Sequence, residues 1–423
     1  LIFEVLAEGI VKVSYRPNDI TPSPDTPMID PNKTWSPPSA SIDASGDPIV
    51  IQTSKMKVEI AKTPARVTLK DAYGNTLLYE PASGGVFYDG VRFMRNGSDN
   101  IYGIRSYNAN EAAPDITRNN SSHPAHAGHQ GDSGGPFMWS TAGYGVLVDS
   151  DGGYPYTDLT GKLEFYYGGT PDEGRRYVKN DVEYYLIVGT PEEILSGFSE
   201  ITGKSPMLPK WSLGFMNFEW GTNQSEMEAM IETYRAKNIP LDAYGLDYDW
   251  KKYGESNYGE FAWNETNFPD APSGDLKDKM DAAGVKLIGI TKPRIVTEDA
   301  YGSRTTQYYD AEAGGYWYPG HSEYADYFIP VLVRSIDPYN AAARQWYWEH
   351  SEDAFDKGIV GWWNDETDKV SSGWAQFWFG NFTTLHLYQA MYEGQRNYTN
   401  GAVRVWQTAR TYYPGAQRYA TTL

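Results

Sequence analysis

The sequence predicts a two-part protein, in which an all-β N-terminal region is followed by the first strands of a parallel α/β barrel. Up to residue 200, apolar and polar side chains alternate between turns rich in Gly, Asn, Asp and Pro, a pattern typical of a β-sandwich. After residue 203, short apolar runs alternate with amphipathic stretches long enough for helices. This alternation indicates a parallel sheet with helical crossovers. We therefore predict a β-sandwich domain over residues 1–205 and a barrel portion over residues 206–423.

The composition excludes several classes of function. The 423 residues carry a net charge of -19, which argues against nucleic acid and anionic membranes as partners. There is no run of about 18 apolar residues, so no membrane span is predicted. The absence of cysteine rules out disulfides and thiol chemistry. Aromatic residues make up 15% of the chain, which suits stacking on sugar rings, although a large aromatic core would have the same composition.

In the N-terminal region, residues 131–136 read Gly-Asp-Ser-Gly-Gly-Pro, the nucleophile signature of trypsin-like serine proteases. Those enzymes need a base histidine and an aspartate on earlier, separate segments, but His123 is the first histidine in the chain. We therefore predict no protease activity for Ser133. The Gly- and Pro-broken spacing of His123, His126 and His129 likewise favours a structural loop over a metal site.

The C-terminal region begins after a helix that Thr190 and Pro191 open and Gly203 closes. Segment 296–338 is too long for a plain connection, and its aromatic residues without helical period predict an insertion beside the site. We count five strands and the start of a sixth, so an eight-stranded barrel would be cut short at residue 423. The predicted strands lie in segments 212–218, 241–250, 286–295, 358–365, 402–409 and 418–423, and the predicted helices in 224–238, 276–284, 341–358 and 376–397.

Charged residues follow the predicted strands, which is typical of a β/α barrel whose site lies at the carboxyl ends of its strands. They are Asp247, Asp249, Lys292, Asp365 and Arg410. Asp365 is followed by a second carboxylate, Glu366, and the alternation of side chains along a strand predicts that the two point to opposite sides. A buried strand that ends in a solvated acidic turn would have the same pattern.

Several motifs resemble glycoside hydrolase family 31, and they occur in the order of that family. The resemblance implies a galactose-mutarotase-like sandwich followed by a (β/α)8 TIM barrel, in a retaining enzyme that acts on α-glucosides or α-xylosides. Residues 130–150, which contain the protease-like motif, resemble the sandwich of the family. The barrel motifs are Leu-Pro-Lys-Trp-Ser-Leu-Gly at 208–214, Gly-Leu-Asp-Tyr-Asp at 245–249, Phe-Pro-Asp at 268–270, Gly-Trp-Trp-Asn-Asp at 361–365 and Thr-Ala-Arg at 408–410.

The resemblance also implies roles for individual residues. Asp365 would be the nucleophile, Asp247 and Arg410 would bind hydroxyl groups of the reacting sugar, and Trp363 and Trp250 would form walls of its subsite. Asp247 could instead cap a strand end, and Arg410 could be an ion-pair partner that tunes Asp365. The resemblance implies neither a cofactor nor a metal.

Two departures from the family pattern refine this expectation. The family commonly has Met-Asn-Glu after the nucleophile, whereas this chain has Glu-Thr-Asp at 366–368. Within the family, the sequence most resembles bacterial α-glucosyl- and isomaltosyltransferases and enzymes that act on cycloalternan. The acid/base aspartate of the family lies in a Trp-x-Gly-Asp motif that would follow Leu423, so we expect the remaining barrel segment to belong to the same polypeptide.

Taken together, the motifs predict a retaining α-glycoside hydrolase or transglycosylase that works through a covalent glycosyl-enzyme intermediate. The expected substrates are α-glucan oligosaccharides with α-1,6, α-1,3 or α-1,4 links. A non-catalytic carbohydrate-binding fragment is the alternative, because the acid/base residue is missing from the sequence. We expect an extracellular bacterial protein, with the cytoplasm as the alternative location.

Overall fold

The computed structural model divides the chain into two compact units. Among the residues that it describes, no helix is both long enough and apolar enough to cross a membrane. The described residues are 1–16, 20–36, 38–83, 85–87, 90–95, 97–106, 116–125, 127, 133–151, 154–159, 161–166, 176–177, 179–252, 261–299, 301–326, 331–367, 370–372, 375–377 and 380–422.

The first unit contains Leu1–Lys204 together with Gly380–Phe382 and Tyr412–Arg418. Its described strands are antiparallel, as the alternation of apolar and polar residues predicts. They are β1 (Ile2–Ala7), β2 (Ile10–Tyr15), β3 (Ser41–Asp43), β4 (Ile49–Gln52), β5 (Met56–Lys62), β6 (Ala65–Asp71), β7 (Thr76–Tyr79), β8 (Val86–Phe87), β9 (Gly90–Arg95), β10 (Ile101–Arg105), β11 (Ser122–Ala125), β12 (Gly134–Ser140), β13 (Tyr144–Asp149), β14 (Tyr154–Leu159), β15 (Lys162–Tyr166) and β16 (Val182–Val188).

These strands form two sheets that share one hydrophobic core. One sheet has the order β1-β2-β16-β13-β12-β10, and the other has the order β11-β14-β15-β9-β7-β6-β5-β4-β3, with β8 paired to β9. Buried side chains of the first sheet, such as Val13 and Tyr184, belong to the same cluster as Leu69 and Phe93 of the second. Burial of the inner faces of two sheets against each other defines a β-sandwich, so the all-β prediction is confirmed.

Helix α1 (Pro191–Thr202) follows the last strand of the sandwich. Its N-cap, Thr190, accepts a hydrogen bond from the backbone amide of Glu193, whose side chain in turn accepts from the amide of Thr190. This reciprocal arrangement satisfies two amides that the first turn leaves without helical partners. The helix therefore begins and ends where the sequence predicts.

The second unit contains Ser205–Phe379, Thr383–Thr411 and Tyr419–Leu423. Its strands and helices alternate along the chain, as predicted for a parallel α/β sheet. They are β17 (Met216–Glu219), α2 (Gln224–Ala236), β18 (Ala243–Leu246), α3 (Asp275–Ala283), β19 (Lys286–Thr291), β20 (Arg294–Glu298), α4 (Thr306–Gly314), β21 (Tyr324–Ala325), β22 (Leu332–Ser335), α5 (Ala341–Glu349), α6 (Glu352–Asp356), β23 (Ile359–Asn364), β24 (Val370–Ser372), β25 (Ala375–Phe377), α7 (Thr383–Tyr398), β26 (Trp406–Ala409) and β27 (Thr421–Thr422).

The main sheet of this unit has the order β17-β18-β19-β23-β26-β27, and every neighbouring pair is parallel. A three-stranded antiparallel sheet, β20-β22-β21, lies in the connection between β19 and α5. That connection also contains α4, although the sequence there shows no helical period. The helix is fixed locally instead, because the Thr305 side chain accepts from the Tyr308 amide and Gly315 closes the helix in a left-handed conformation.

Strand β23 runs through the core of the second unit. Trp362 is fully buried in it, and its indole nitrogen donates to Gln395 at 3.0 Å. A Cβ atom at Gly361 would lie 2.9 Å from Ile288 and 3.0 Å from Trp211, so only glycine allows the strand to pack this closely. This packing fixes the position of the strand, and with it the position of the residues at its carboxyl end.

Candidate active site

The carboxyl ends of four neighbouring strands meet at one edge of the parallel sheet. Asn364, the last residue of β23, is paired with Thr291 at the end of β19 and with Ala409 at the end of β26. The residues that follow these strands are therefore neighbours in space. They are Lys292, Asp365 and Arg410, and Asp247 follows the adjacent strand β18.

Asp365 lies among cations at this edge. Its carboxylate lies 2.7 Å from the Lys292 ammonium and 3.5 Å from Nε of Arg410. Its backbone amide donates to the carbonyl of Thr291 at 2.9 Å. The Asp365 side chain keeps 14% of its surface exposed, whereas that of Lys292 keeps 1%. The site therefore presents a partly accessible carboxylate whose orientation buried and half-buried cations fix.

Glu366 does not point away from Asp365, so the prediction from side-chain alternation is wrong. Its carboxylate lies 2.9 Å from the Lys292 ammonium and forms an ion pair with Arg294, and Nη2 of Arg410 lies 3.7 Å away. The physical reason is that β23 ends at Asn364 and that Glu366 has a φ of 50°. A left-handed residue breaks the period-two alternation of a strand, and both acids reach the same ammonium group.

Asp247 caps the 3-10 helix Tyr248–Trp250, because its side chain accepts from the Tyr248 amide at 2.7 Å. The capping alternative is thus present in the structure. Burial raises the pKa of the Asp247 carboxyl to about 6, and the neighbouring Asp365 and Asp249 carboxylates add to this effect, while the Tyr248 amide and Lys292 oppose it. A carboxyl group that carries this penalty at neutral pH is a candidate for binding rather than for stability.

The two tryptophans take different positions. Trp363 is half-buried and packs edge-on against Phe218, with ring centroids 5.7 Å apart. Trp250 is 1% exposed, and its indole donates to the carbonyl of Ile290 at 3.3 Å. The burial of Trp250 favours a supporting role beneath the site over the wall that the sequence predicts.

Sequence analysis did not assign roles to the remaining charged residues of this edge. The sequence pattern predicts Lys292 only as a charged residue after a strand, and it indicates no role for Arg294 or Lys251. Burial and the Arg294 guanidinium lower the pKa of Lys292, and its ion pairs with Asp365 and Glu366 oppose that shift. Burial and the nearby Lys292 also lower the pKa of Lys251 to about 7. Lys292 and Arg294 are two cations separated by one residue at the end of an apolar run. This pattern is the sequence signal that indicates the cluster.

One group of carboxylates in the first unit has spacing that a metal ion would accept. The oxygens of Asp25, Asp149 and Glu183 lie within 4.8 Å of one another. However, the Lys12 ammonium lies 2.9 Å from Asp25 and 3.1 Å from Glu183, and the Lys179 ammonium lies 2.7 Å from Asp149 and pairs with Glu183. The lysines supply the positive charge that these acids need, so the group is an ion-pair network.

The described part of the protease-like motif, residues 133–136, lies in the sandwich. Ser133 is 3% exposed, its amide donates to the hydroxyl of Ser106 at 2.9 Å, and the following residues form β12. His123 lies in β11, where its Nε2 atom is 2.8 Å from the hydroxyl of Ser121. His126, His129, Gly131 and Asp132 lie outside the described residues.

A parallel α/β sheet with acids and cations at the carboxyl ends of its strands is the arrangement found in barrel enzymes, whose sites lie at that face. The family model described as "Glycosyl hydrolases family 31 TIM-barrel domain" matches residues 205–423. This chain therefore belongs to glycoside hydrolase family 31.

Individual relatives extend this comparison. A 1,6-alpha-glucosyltransferase of Sporosarcina globispora is 68% identical over 424 residues, which cover 100% of this chain and 33% of that protein. An alpha-xylosidase of Saccharolobus solfataricus is 25% identical over 307 residues, which cover 68% of this chain and 37% of that protein. The chain thus spans 33% and 37% of the lengths of these two relatives.

Two solved structures have the same fold. A family 31 dextranase of Flavobacterium johnsoniae, solved with isomaltotriose, has a TM-score of 0.81 at 17% identity, covering 99% of this chain and 53% of that chain. A cycloalternan-forming enzyme of Listeria monocytogenes, solved with a pentasaccharide substrate, has a TM-score of 0.74 at 17% identity, covering 99% of this chain and 42% of that chain.

Proposed function

We propose that the protein containing this chain is a retaining α-glycoside hydrolase or transglycosylase that acts on α-linked glucose oligosaccharides, with Asp365 as its nucleophile. The observation that carries the proposal is the position of Asp365 at the carboxyl end of β23, with the Lys292 ammonium at 2.7 Å and the Arg410 guanidinium at 3.5 Å. Adjacent cations favour the ionised form of a partly buried carboxylate, which is the form that attacks.

In the proposed reaction, an oxygen of Asp365 forms a bond to the anomeric carbon while the glycosidic carbon–oxygen bond breaks. The leaving oxygen keeps the electron pair of that bond and takes a proton from a general acid. Water or a sugar hydroxyl then gives its proton to the same group, which now acts as a base, attacks the anomeric carbon from the face opposite Asp365 and releases the Asp365 carboxylate. Two inversions retain the α configuration.

Asp247 and Arg410 are proposed to bind hydroxyl groups of the sugar in the reacting subsite. Both lie at the same edge as Asp365, and the Arg410 side chain is 23% exposed. A sugar hydroxyl that donates to Asp247 would stabilise its ionised form, which burial disfavours. Substrate binding and the ionisation of Asp247 would then be coupled.

A retaining enzyme needs a second carboxyl group roughly 5–5.5 Å from the nucleophile, and we propose that a segment outside residues 1–423 supplies it. The same segment would cover the two outer strands of the parallel sheet, β17 and β27. Large apolar side chains near β17 are exposed, with Leu213 at 79%, Phe215 at 50% and Trp220 at 73%. Strands that close the barrel would bury such an edge.

We propose transfer of glucose to a 6-hydroxyl as the principal reaction, because the 1,6-alpha-glucosyltransferase is 68% identical over this whole chain. Hydrolysis is the same chemistry with water as the acceptor. The acceptor side of the site decides between them.

The test is product analysis with the full-length protein on isomaltose, nigerose, maltose and panose. We expect new α-1,6 links and an α-configured first product by NMR. Asp365→Ala should lower turnover by about 10⁴-fold or more, and added azide should restore turnover and yield a β-glycosyl azide. Asp353→Ala, which removes an exposed acid of α6, is the matched control and should have wild-type turnover. Full activity of Asp365→Ala would overturn the assignment, and sugar binding without turnover by the wild type would favour a non-catalytic binding protein.

A further inference from the structure

Glu366 and Lys292 form a charge pair beside the nucleophile, and the proposed function gives no role to Glu366 or to its pairing with Lys292. Resting on that function, we propose that both are positioning residues. Lys292 orients the Asp365 carboxylate before attack. Glu366 keeps Lys292 paired after Asp365 has become an ester.

The burial of the pair makes a counterion necessary. The Lys292 side chain is 1% exposed, the Glu366 side chain is 9% exposed, and their charged atoms are 2.9 Å apart. Removal of one partner from a buried ion pair leaves an uncompensated charge and is strongly unfavourable. Arg294, whose side chain is 2% exposed, has the same requirement and pairs with both Glu366 and Asp326.

The glycosylation step changes the charge of this cluster. Before attack, Lys292 has two carboxylates within 3 Å, those of Asp365 and Glu366. When an Asp365 oxygen bonds to the anomeric carbon, its negative charge is lost and the leaving oxygen carries away an electron pair and a proton. Glu366 remains as an anionic partner of Lys292, so no step leaves this buried ammonium beside two neutral groups.

The backbone supports a dedicated arrangement. Glu366 has a φ of 50°, which is uncommon for a residue with a side chain. This conformation directs Glu366 to Lys292 rather than to the opposite side of the strand.

Other charged or titratable groups surround the pair from the packed elements, and the test leaves them unchanged. They are Asp247, Asp249 and Lys251 after β18, Arg294 in β20, Tyr324 and Asp326 at β21, and Arg410 after β26.

The experiment compares Lys292→Met and Glu366→Gln in the full-length protein, with Lys286→Met at the opposite end of β19 as the matched control. The first readout is the pH profile of kcat/KM. Lys292→Met should move the acidic limb to higher pH by about one unit, because Asp365 loses a cation. Glu366→Gln should move the acidic limb to lower pH. The reason is that a negative charge is removed from beside Asp365, while the Lys292 cation stays. Lys286→Met should have the wild-type profile.

The second readout is the rate at which a 5-fluoroglucosyl fluoride labels Asp365, which reports formation of the covalent intermediate. Glu366→Gln should slow labelling by about tenfold or more, since neither the ester nor the glutamine carries the negative charge that the two carboxylates place within 3 Å of Lys292. The double variant Lys292→Met/Glu366→Gln should return the acidic limb toward the wild-type position. Lys292→Arg, which keeps the charge, should label faster than Lys292→Met and guards against loss by misfolding.

The outcomes separate this inference from the proposed function. If the wild type turns over α-glucosides and is labelled at Asp365 while both single variants keep the wild-type limb, or move it in the same direction, the positioning role is overturned and the function stands. If the wild type neither turns over these substrates nor is labelled, the proposed function itself is overturned.

Discussion

Each unit of the molecule contains a cluster of buried charge, and the two clusters differ in how far they are closed. In the sandwich, the Arg95 guanidinium lies 2.6 Å from Asp99 and 2.6 Å from Asp158, and none of these side chains is more than 6% exposed. In the parallel α/β unit, Lys292 is equally buried, but its partner Asp365 is 14% exposed. The first cluster is sealed, whereas the second opens to solvent through its anion.

The remaining hydrogen bonds of the sandwich cluster explain its closure. Asp99 also accepts from the hydroxyl groups of Ser140 and Tyr144, the latter at 2.9 Å, and Asp158 accepts from the Asn120 amide at 2.8 Å. Protein donors therefore satisfy both carboxylates. The comparison teaches that buried charge alone does not mark a site, and that the proposed site differs from the sealed cluster in the access to its charged group.

The prediction with the largest expected effect concerns Arg95, the central cation of the sealed cluster. Arg95→Met should lower the free energy of unfolding by about 3–5 kcal/mol, because it leaves two buried carboxylates without a cation. Urea denaturation followed by circular dichroism measures this. As a control, Lys277→Met removes an exposed cation 3.1 Å from Asp281 in α3 and should change stability by no more than about 0.5 kcal/mol. Equal effects of the two substitutions would contradict a structural role for Arg95.

A second prediction concerns Glu80 of the sandwich, an acid for which burial outweighs the charge of the nearby Arg66. Glu80 is 3% exposed and accepts from the Val67 amide at 2.8 Å, and burial raises its pKa to about 7. The folded state thus favours the protonated form, so the contribution of Glu80 to stability is largest below pH 4.5 and falls as the pH rises from there to about 7. Glu80→Gln removes the buried charge and keeps an oxygen that can accept from Val67. At pH 8 it should stabilise the protein by up to about 3 kcal/mol.

The measurement for Glu80→Gln is the unfolding midpoint across pH 4–8, and the gain should vanish at pH 4. A gain of the same size at both ends of the range would indicate altered packing rather than ionisation. Glu80 and the Arg95 cluster are both buried in the sandwich, but they differ in their hydrogen bonds and ion pairs. Burial destabilises the charge of Glu80 because protein donors satisfy it only in part.

Much of the fold and part of the site could be predicted because the relevant signals are local. Apolar alternation defines the strands of the sandwich, and Asp247, Asp365 and Arg410 directly follow apolar runs. The orientation of Glu366 could not be predicted, since it depends on one left-handed residue that the sequence does not announce. The burial of Trp250 depends on its contact with Trp263, 5.3 Å away between ring centroids, and such tertiary contacts have no local signature.

The smallest predicted effect is at Asp247 of the open cluster. Its charged carboxylate should favour sugar binding and lower the stability of the protein. Its pKa of about 6 lies above the ordinary value of 3.8, so the folded state disfavours the charged form and stability falls as the pH rises through this interval. Because the side chain is only partly buried, Asp247→Asn should stabilise the protein by about 1–2 kcal/mol at pH 7.5 and by nothing measurable at pH 3.5.

The same Asp247→Asn variant should bind α-glucosides more weakly, which isothermal titration at pH 7.5 measures in the full-length protein. Asp353→Asn, at an exposed acid of α6, should change neither stability nor binding. Destabilisation by Asp247→Asn at neutral pH would mean that the cap on Tyr248 outweighs the buried charge. A gain in stability joined to a loss of binding would place Asp247 with the accessible cluster, because a sealed network such as that of Arg95 can only lose stability when one member is neutralised.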